Sequence, residues 1–373
     1  MRIAVNAACL CHDAPADTGH VATTLLLRLC RQHPDHHFIL YTDRAFPAHL
    51  TFPANVTTIL LPGKGTATWR RYWWMEWKLP RAMKAEGADI FLGMDGILPL
   101  RSKIPAVLFI KDSAFLHHVA GADAGMQRFL KKNMARYMAA AKQIAVLSAT
   151  VQEELRQYAP DMAPRLHLLP AGIHESYRAL EWEEREAVKQ KYTGGVEYFI
   201  VPGSLHPRNN IVPLLKAFSA LKRRQRSNIK LVLAGSATVA GQEIAIALQT
   251  YKFRNDVVWL KDVDQPTLAL LTGAAYALVY TARFEGLALP VYAALRCQVP
   301  VIALESAIAR EAGGDAILYA DPASLDDLAE KMSLLYKDEQ LRSRLLAKAP
   351  PAEHFQSWDI AAAQLWAAIP LPQ

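Results

Sequence analysis

The chain has 373 residues, of which 52% are hydrophobic and 21% charged, and its formal net charge is +7. This composition excludes a disordered or fibrous chain, and the length favours two domains of about 150–200 residues each. No stretch approaches about 18 uninterrupted apolar residues, so no membrane-spanning helix is predicted. The positive charge suits an acidic partner, such as a nucleotide, a phospholipid surface or nucleic acid, without choosing among them.

The start of the chain predicts a first β-strand and no secretion signal, because residues 1–10 carry one basic residue and no cleavage site of small residues. The chain has four cysteines, at Cys9, Cys11, Cys30 and Cys297. These are too few for a disulfide framework, so a reducing cytoplasm is expected. Cys9, Cys11 and His12 could bind a metal, but no second cluster completes a tetrahedral set, so no metal site is predicted.

In the first half, short β-branched runs alternate with longer segments whose apolar residues recur at helical spacing. The predicted strands are residues 3–6, 37–41, 57–61, 90–92, 106–110, 143–147 and 166–169. The predicted helices are residues 22–32, 68–86, 124–141 and 150–158. Ser148 is the expected cap of the last of these helices.

Residues 181–195 read as a linker with a short helix, after which the same alternation restarts. The predicted strands are residues 198–201, 229–234, 257–260, 277–279, 301–303 and 316–319. The predicted helices are residues 211–224, 241–250, 265–274, 290–296, 306–311, 324–337 and, after Pro350 and Pro351, 358–368. The pattern predicts an α/β protein with two Rossmann-like domains that face a central cleft. They span residues 1–172 and 196–350, and residues 351–373 form a helix that crosses back to the first domain.

The most informative stretch is residues 281–290, where an apolar strand leads into a short loop and then into a helix. The N-terminus of such a helix, just after Gly286, offers backbone N–H groups and partial positive charge to a phosphate. Glu285 could accept hydrogen bonds from sugar hydroxyls, or it could cap the following helix. The residues alone leave both interpretations open.

A second feature is the aromatic and basic stretch of residues 69–78. Trp69, Trp73 and Trp77 recur at i, i+4 and i+8, so on a helix they form one stripe. The interpretation that we favour is packing of this stripe on the sheet of the first domain. The alternative is an interfacial helix, with indoles at the level of lipid headgroups and basic side chains near lipid phosphates.

Many short segments of the chain resemble, in their sequence, order and spacing, the family 4 glycosyltransferases of the GT-B fold, also called glycosyl transferases group 1. In the first half they are residues 1–6, 18–19, 79–80, 111–112 and 146–148. In the second half they are residues 202–210, 231–235, 284–290, 298–302 and 311–322. The resemblance covers nearly the whole chain. It implies a hexosyltransferase that retains the anomeric configuration and acts in bacterial surface polysaccharide synthesis.

The resemblance also implies partners and a location. A nucleotide sugar lies in the cleft, and the acceptor is a glycan or lipid-linked molecule, whereas nucleic acid is not a partner. No cofactor or metal ion is implied. The expected location is the cytoplasm, with peripheral contact at the inner membrane face if residues 69–78 are interfacial.

The resemblance assigns site residues by position. Catalytic roles fall on Glu285, Lys111 and Asp112. Donor binding falls on Arg208, Asn209, Gly19, Gly286, Leu287 and Ala288. His117 and His118 follow the Lys111-Asp112 pair and either line the cleft or lie on a surface loop.

Four positions depart from the family pattern, and all of them concern the donor. Ala293 replaces a glutamate that binds ribose, and Asn209 replaces a lysine that neutralises the diphosphate. Val21, two residues after Gly19, is a β-branched residue in a loop where glycine would let the backbone approach the diphosphate closely. Lys111 replaces a histidine. Lys111 is either a surface lysine or a substitute for the missing charge.

The alternative to an enzyme is therefore a catalytically degenerate relative that binds glycan or a partner enzyme. If the ribose pocket persists, a glutamate at position 293 should tighten nucleotide binding.

Overall fold

A computed structural model describes residues 1–11, 18–47, 50–63 and 68–370. The first domain is built on a parallel sheet of seven strands in the order β3-β2-β1-β4-β5-β6-β7. The strands are β1 (Arg2–Asn6), β2 (His37–Thr42), β3 (Val56–Leu60), β4 (Ile90–Gly93), β5 (Ala106–Phe109), β6 (Gln143–Val146) and β7 (Leu166–Leu168). Every residue of the central strands β4 and β5 is buried, because helices cover both faces.

The helices of this domain follow the predicted pattern. They are α1 (Thr18–Gln32), α2 (Thr68–Trp73), α3 (Leu79–Ala85), α4 (Ala124–Ala140) and α5 (Ala149–Tyr158). The Ser148 hydroxyl accepts a hydrogen bond from the Val151 backbone N–H at 3.1 Å, which confirms the predicted cap of α5. A π-helical turn (Trp74–Lys78) joins α2 to α3, so the predicted helix over residues 68–86 is three segments.

The favoured interpretation of the tryptophan stripe is wrong. Trp69, Trp73 and Trp77 are 68%, 49% and 37% exposed, whereas Trp74 is fully buried and packs in the core under the sheet. The Trp74 indole donates to the Leu61 carbonyl at 2.7 Å. The helix is therefore anchored by the face that carries Trp74, which lies beside the stripe. The wider π turn also rotates the side chains that follow it, so the spacing of the stripe does not identify the buried face.

The second domain is built on a parallel sheet of six strands in the order β10-β9-β8-β11-β12-β13. The strands are β8 (Tyr198–Pro202), β9 (Lys230–Ala234), β10 (Val257–Leu260), β11 (Ala277–Tyr280), β12 (Val301–Leu304) and β13 (Leu318–Ala320). The last strand begins two residues later than predicted. As in the first domain, the central strands β11 and β12 are buried throughout.

The helices around this sheet include one that the sequence pattern missed. They are α6 (Trp182–Thr193), α7 (Ile211–Gln225), α8 (Gln242–Thr250), α9 (Gln265–Gly273), α10 (Leu289–Arg296), α11 (Ala307–Gly313), α12 (Leu325–Lys337) and α13 (Glu339–Ala347). The unpredicted helix is α13. Only Leu345 of α13 is buried, so its apolar periodicity is weak, and it depends on the Asp338 cap.

The last helix, α14 (Trp358–Ala367), follows the second domain in the chain but packs on α1 of the first. The Asp359 carboxylate forms a salt bridge with Arg28, and the Trp366 indole stacks on His33 with ring centroids 3.7 Å apart. Gly172 lies against the Trp358 side chain, where no Cβ would fit. In the residues that the structure describes, no helix has the length and apolarity needed to cross a membrane.

The loops that leave the carboxyl ends of the two sheets meet between the domains. Gly121 lies against His206 and Pro207, and a Cβ on Gly121 would come within 2.9 Å of the His206 ring. Leu287, from the loop after β11, packs into the core cluster of the first domain. The two domains are therefore closed on one another at the edge where open α/β sheets bind ligands.

Candidate active site

The loop after β11 positions Glu285 with the help of the strand itself. The Tyr280 hydroxyl, at the end of β11, donates to Glu285 Oε2 at 2.7 Å. Burial raises the pKa of Tyr280 well above its ordinary value, and the Glu285 charge raises it further, while Arg208 acts in the opposite direction. Tyr280 therefore stays protonated at neutral pH and holds the Glu285 carboxylate in place. Sequence reasoning missed Tyr280, although it precedes Glu285 by only five residues.

The next three residues present backbone donors at the start of α10. Gly286, Leu287 and Ala288 are buried, and Pro290 occupies the first turn of the helix. Within the described ranges, the N–H groups of these three residues have no intramolecular hydrogen-bond partner. Such donors at a helix N-terminus suit an anion, as predicted from residues 281–290.

The loop after β8 carries Arg208 and Asn209, which make different contacts. Arg208 lies beside the Tyr280–Glu285 pair, since its charge acts on Tyr280, and its carbonyl accepts from the Arg283 N–H at 3.3 Å. Asn209 is only 9% exposed, and its amide donates to the Ser204 carbonyl at 2.7 Å. This bond ties the loop together, while Asn209 Oδ1 is buried without a hydrogen-bond partner among the described residues, so the donor contact of Asn209 stays a prediction.

Lys111 and Asp112 follow β5 and form the opposite wall of the cleft. The Lys111 carbonyl touches Gly286 so closely that a Cβ there would overlap it. Asp112 Oδ1 accepts from the Ala114 N–H at 3.0 Å, which shapes the turn after Lys111. The structure thus brings the predicted Lys111-Asp112 pair against the loop of Glu285.

Farther along the same wall, His117 and His118 are both exposed, and the His117 ring contacts Phe284 of the second domain. His117 Nε2 lies 3.0 Å from both carboxylate oxygens of Glu154 on α5, and its ring centroid lies 4.9 Å from that of Phe284. The Ser113 hydroxyl donates to the same Glu154 carboxylate. Sequence reasoning gave Glu154 no role, because α5 and the Ser113 loop meet only in the folded chain.

A second contact between the domains involves Glu311 on α11. Its carboxylate accepts from the Ala149 and Thr150 N–H groups at 2.7 and 2.8 Å, and from the Thr150 hydroxyl at 2.6 Å. These are the first N–H groups of α5, where a negative charge is favoured by the helix dipole. Glu311 therefore fastens the second domain to the first beside the cleft.

The predicted diphosphate loop near Gly19 is described only in part. Helix α1 begins at Thr18, four residues earlier than predicted, so Gly19 lies in its first turn. Val21 is 6% exposed and packs in the core of the first domain. Residues 12–17, including His12, lie outside the described residues.

Ala293, where the family has a ribose-binding glutamate, lies in the core of the second domain. It is 3% exposed, on α10, among the apolar side chains of the cluster under the sheet. A longer side chain at this position would have to displace these apolar neighbours. Because Ala293 is buried among apolar side chains, a glutamate at this position is no longer expected to tighten nucleotide binding.

We expect Ala293→Glu to destabilise the protein and not to tighten nucleotide binding. Overpacking alone should lower the free energy of unfolding by about 1–3 kcal/mol, and a buried carboxylate adds a desolvation cost. Urea unfolding measures the change, with Ala347→Glu, on the exposed face of α13, as the matched control. Unchanged stability with tighter nucleotide binding would contradict this expectation.

Metal ligands are not clustered in the part of the chain described here: no group of three or more His, Cys, Asp or Glu residues is placed to hold an ion. Cys11 contacts Thr42, with the sulfur 3.1 Å from the hydroxyl oxygen.

Two family models match the chain, one in each domain. The model described as "Glycosyltransferase Family 4" matches residues 18–177, and the model described as "Glycosyl transferases group 1" matches residues 183–350. The two matches divide near the start of the predicted linker. Together they cover most of both domains.

Curated relatives are similar over part of the chain. The O-antigen chain mannosyltransferase B of Escherichia coli is 27% identical over 236 residues, which are 62% of this chain and 61% of the relative. The O-antigen chain mannosyltransferase RfbU of Salmonella typhimurium is 26% identical over 144 residues, 39% of each. The chain thus spans about three fifths or less of the length of these relatives.

Solved structures resemble the fold over nearly its whole length. WaaG, a glycosyltransferase involved in lipopolysaccharide biosynthesis, superposes with a TM-score of 0.76 and 17% identity over 99% of this chain and 98% of its own. Sucrose-phosphate synthase of Thermosynechococcus elongatus gives 0.77 and 18%, covering 98% of both chains. Anabaena HepE, solved with UDP and glucose, gives 0.74 and 16%, also over 98% of both. With these folds and the two family matches, the chain belongs to the family 4 glycosyltransferases and has the GT-B fold.

Proposed function

We propose that the protein transfers a hexosyl unit from a nucleotide sugar to a glycan or lipid-linked acceptor, with retention of the anomeric configuration. The observation that carries the proposal is the meeting of Arg208, Glu285 and the donors of residues 286–288 at the closed edge of two parallel sheets. The O-antigen mannosyltransferases among the relatives support a place in bacterial surface polysaccharide synthesis.

The donor diphosphate would lie between Arg208 and the N-terminus of α10. A guanidinium offers a fixed fork of donors to phosphate, and the N–H groups of Gly286, Leu287 and Ala288 add neutral donors and the helix dipole. Because charge develops on the diphosphate as the sugar leaves, these groups stabilise the transition state. Anabaena HepE, solved with UDP and glucose, supports a nucleotide sugar as the ligand.

The transferred sugar would lie against Glu285. Its carboxylate, held by Tyr280, can accept hydrogen bonds from two sugar hydroxyls. Lys111 and Asp112 would close over the sugar from the first domain, since their backbone already meets Gly286. Leu287 and the rest of this loop exclude water from the reacting centre.

A second candidate is a catalytically degenerate relative that binds glycan or a partner enzyme. It is favoured by Asn209, which has no charge to offer a diphosphate, and by Ala293, which is buried in the core. Both positions would be donor contacts in the family pattern. Each lost charge-assisted contact costs about 1.5–3 kcal/mol of affinity, so donor binding separates the two candidates.

We propose that transfer needs no metal ion or other cofactor. The positive charge of Arg208 and the donors of α10 would neutralise the diphosphate in place of a cation. The initial rate of sugar transfer should therefore be the same in excess EDTA and in millimolar magnesium. Loss of transfer in EDTA, restored by magnesium, would contradict this prediction.

We propose a cytoplasmic protein with peripheral contact to an anionic membrane through α2 and α4. Trp69 and Trp73 are exposed beside Arg70, and α4 exposes Lys131 and Lys132 on the neighbouring surface. The two helices touch through Tyr72 and Phe129, with ring centroids 6.1 Å apart. Exposed indoles next to cations suit the headgroup region of an anionic bilayer.

The double variant Trp69→Ser, Trp73→Ser should therefore lose affinity for vesicles of phosphatidylglycerol and phosphatidylcholine, by about tenfold or more for two indoles. Sedimentation of the protein with the vesicles measures it. Trp182→Ser is the matched control, because Trp182 is 70% exposed on the other domain. Equal binding by the double variant and the control would contradict the membrane contact.

The experiment that tests the proposed function uses a panel of UDP- and GDP-hexoses with the full-length protein. Release of the nucleoside diphosphate, with or without an added acceptor, should occur with at least one donor and depend on Glu285. The configuration of the product, read by NMR, tests retention. No release from any donor, with intact folding, would favour the non-catalytic candidate.

A further inference from the structure

A cavity of about 210 Å³ lies between the domains, next to Glu285. Ser113, His117 and Glu154 line it from the first domain, and Phe284, Glu285 and Ser306 from the second. Its volume equals that of about seven liquid waters at about 30 Å³ each, which is the scale of one sugar ring. The functions proposed above for Arg208 and residues 286–288 do not use it.

The order of the strands separates this cavity from the diphosphate. Arg208 follows β8, Glu285 follows β11, and Ser306 follows β12, which lies on the far side of β11 from β8. A donor whose diphosphate rests on Arg208 therefore reaches Glu285 with its sugar, and the cavity lies beyond that sugar. A molecule in this cavity is placed to receive the sugar.

Hydrogen bonds hold the polar groups of the cavity in place, and some of these groups are buried. Ser113 is 1% exposed and donates to the Glu154 carboxylate, which also receives the His117 Nε2–H. The other ring nitrogen of His117, Nδ1, has no hydrogen-bond partner among the residues that the structure describes, so it is available to a ligand. A carboxylate, a ring nitrogen and the Ser306 hydroxyl thus face one small volume.

The remaining wall is apolar. The Phe284 ring packs at 4.9 Å from the His117 ring and borders the cavity. An aromatic face with a few convergent polar groups matches a pyranose, which has one C–H face and a rim of hydroxyls. Phe284 precedes Glu285 directly, so one loop supplies both the apolar wall of the cavity and the Glu285 carboxylate.

We propose that this cavity binds the terminal hexopyranose of the acceptor, and that Glu154 and His117 determine which hexopyranose is accepted. The proposal rests on the proposed function, since it names the acceptor of the same reaction. Glu154 and His117 form hydrogen bonds with hydroxyls of that ring, while Phe284 packs on its C–H face. The stereochemistry of the ring decides whether its hydroxyls reach these two side chains.

The test uses the full-length protein, a nucleotide sugar that it consumes, and methyl α-D-hexopyranosides of manno, gluco and galacto configuration as acceptor probes. The variants are Glu154→Gln and His117→Phe, which keep the size of each side chain. We expect the acceptor KM to rise about tenfold or more in both, with an altered preference among the three glycosides. The KM for the donor should change several times less. Glu153→Gln, on the exposed side of α5, should change neither.

Two results would overturn the proposal while leaving the proposed function intact. One is an unchanged acceptor KM in Glu154→Gln and His117→Phe. The other is an equal change in the KM values of donor and acceptor, which would show that the pair only supports the fold. If the protein consumes no nucleotide sugar, the proposed function fails, and saturation-transfer NMR with the three glycosides tests the cavity by itself. Binding to the wild type that is lost in Glu154→Gln supports the proposal, and absence of binding to the wild type overturns it.

Discussion

Replacing Glu285 by glutamine should lower kcat/KM for sugar transfer by about 100-fold, the size of a lost charge-assisted contact made near the reacting centre. The Glu285 carboxylate is held by Tyr280 and lies next to the donor groups of α10. Glutamine keeps the shape but has one acceptor oxygen, so it can accept from the Tyr280 hydroxyl or from the sugar, and it meets the other with an N–H₂ donor. Steady-state kinetics with the preferred donor measures the change.

Tyr280→Phe is the companion variant for this prediction. It removes the hydroxyl that holds Glu285 and leaves the carboxylate itself, so the expected fall is smaller, about tenfold or less. If Glu285→Gln kept activity within about threefold of the wild type, Glu285 would not contact the transferred sugar. The first domain would then have to supply the catalytic contacts.

Replacing Gly286 by alanine should abolish transfer while the protein stays folded. The Cβ of alanine would overlap the Lys111 carbonyl and come within 2.7 Å of Asp112 Cβ, both on the opposite domain. Because both neighbours are backbone or near-backbone atoms, they cannot give way without moving the domains apart. We therefore expect a cleft held open, a larger radius of gyration by small-angle scattering and an activity loss of about 100-fold or more.

Gly87→Ala is the control for the glycine substitution. A Cβ on Gly87 meets nothing within 4 Å, although its φ of +61° makes alanine locally unfavourable. This variant should lose some stability and keep its activity. Full activity of Gly286→Ala would show that the two domains need not approach as closely as they do here.

The fold could be predicted from the sequence because its determinants are local. Strands such as β11 and β12 are continuous apolar runs, since parallel strands are buried on both faces, and the Ser148 cap is read within one turn of α5. The tryptophan stripe shows the limit. A π turn and the anchor of Trp74 decide which face of the helix is buried, and neither is visible in a simple 3.6-residue period.

The candidate site could be predicted only in part, because much of it forms between segments distant in the chain. Glu285 is predicted by its position in the loop after a strand, and Lys111 is predicted only by the family resemblance. Glu311 meets Ala149 across 162 residues, and His117 meets Glu154 across 37, so no spacing rule pairs them. The sequence likewise does not show that the Asn209 amide donates to the Ser204 carbonyl.

If the cleft binds a nucleotide through the second domain, calorimetric titration with UDP, GDP, ADP and dTDP should detect the complex. We expect one of these to bind the wild type, and Arg208→Ala to weaken that binding by about tenfold or more. Arg208→Lys should be nearly as harmful, because an ammonium does not offer the two parallel donors of a guanidinium. Absence of binding to the wild type at millimolar concentrations of all four would contradict nucleotide binding by the cleft and leave the scaffold without its donor.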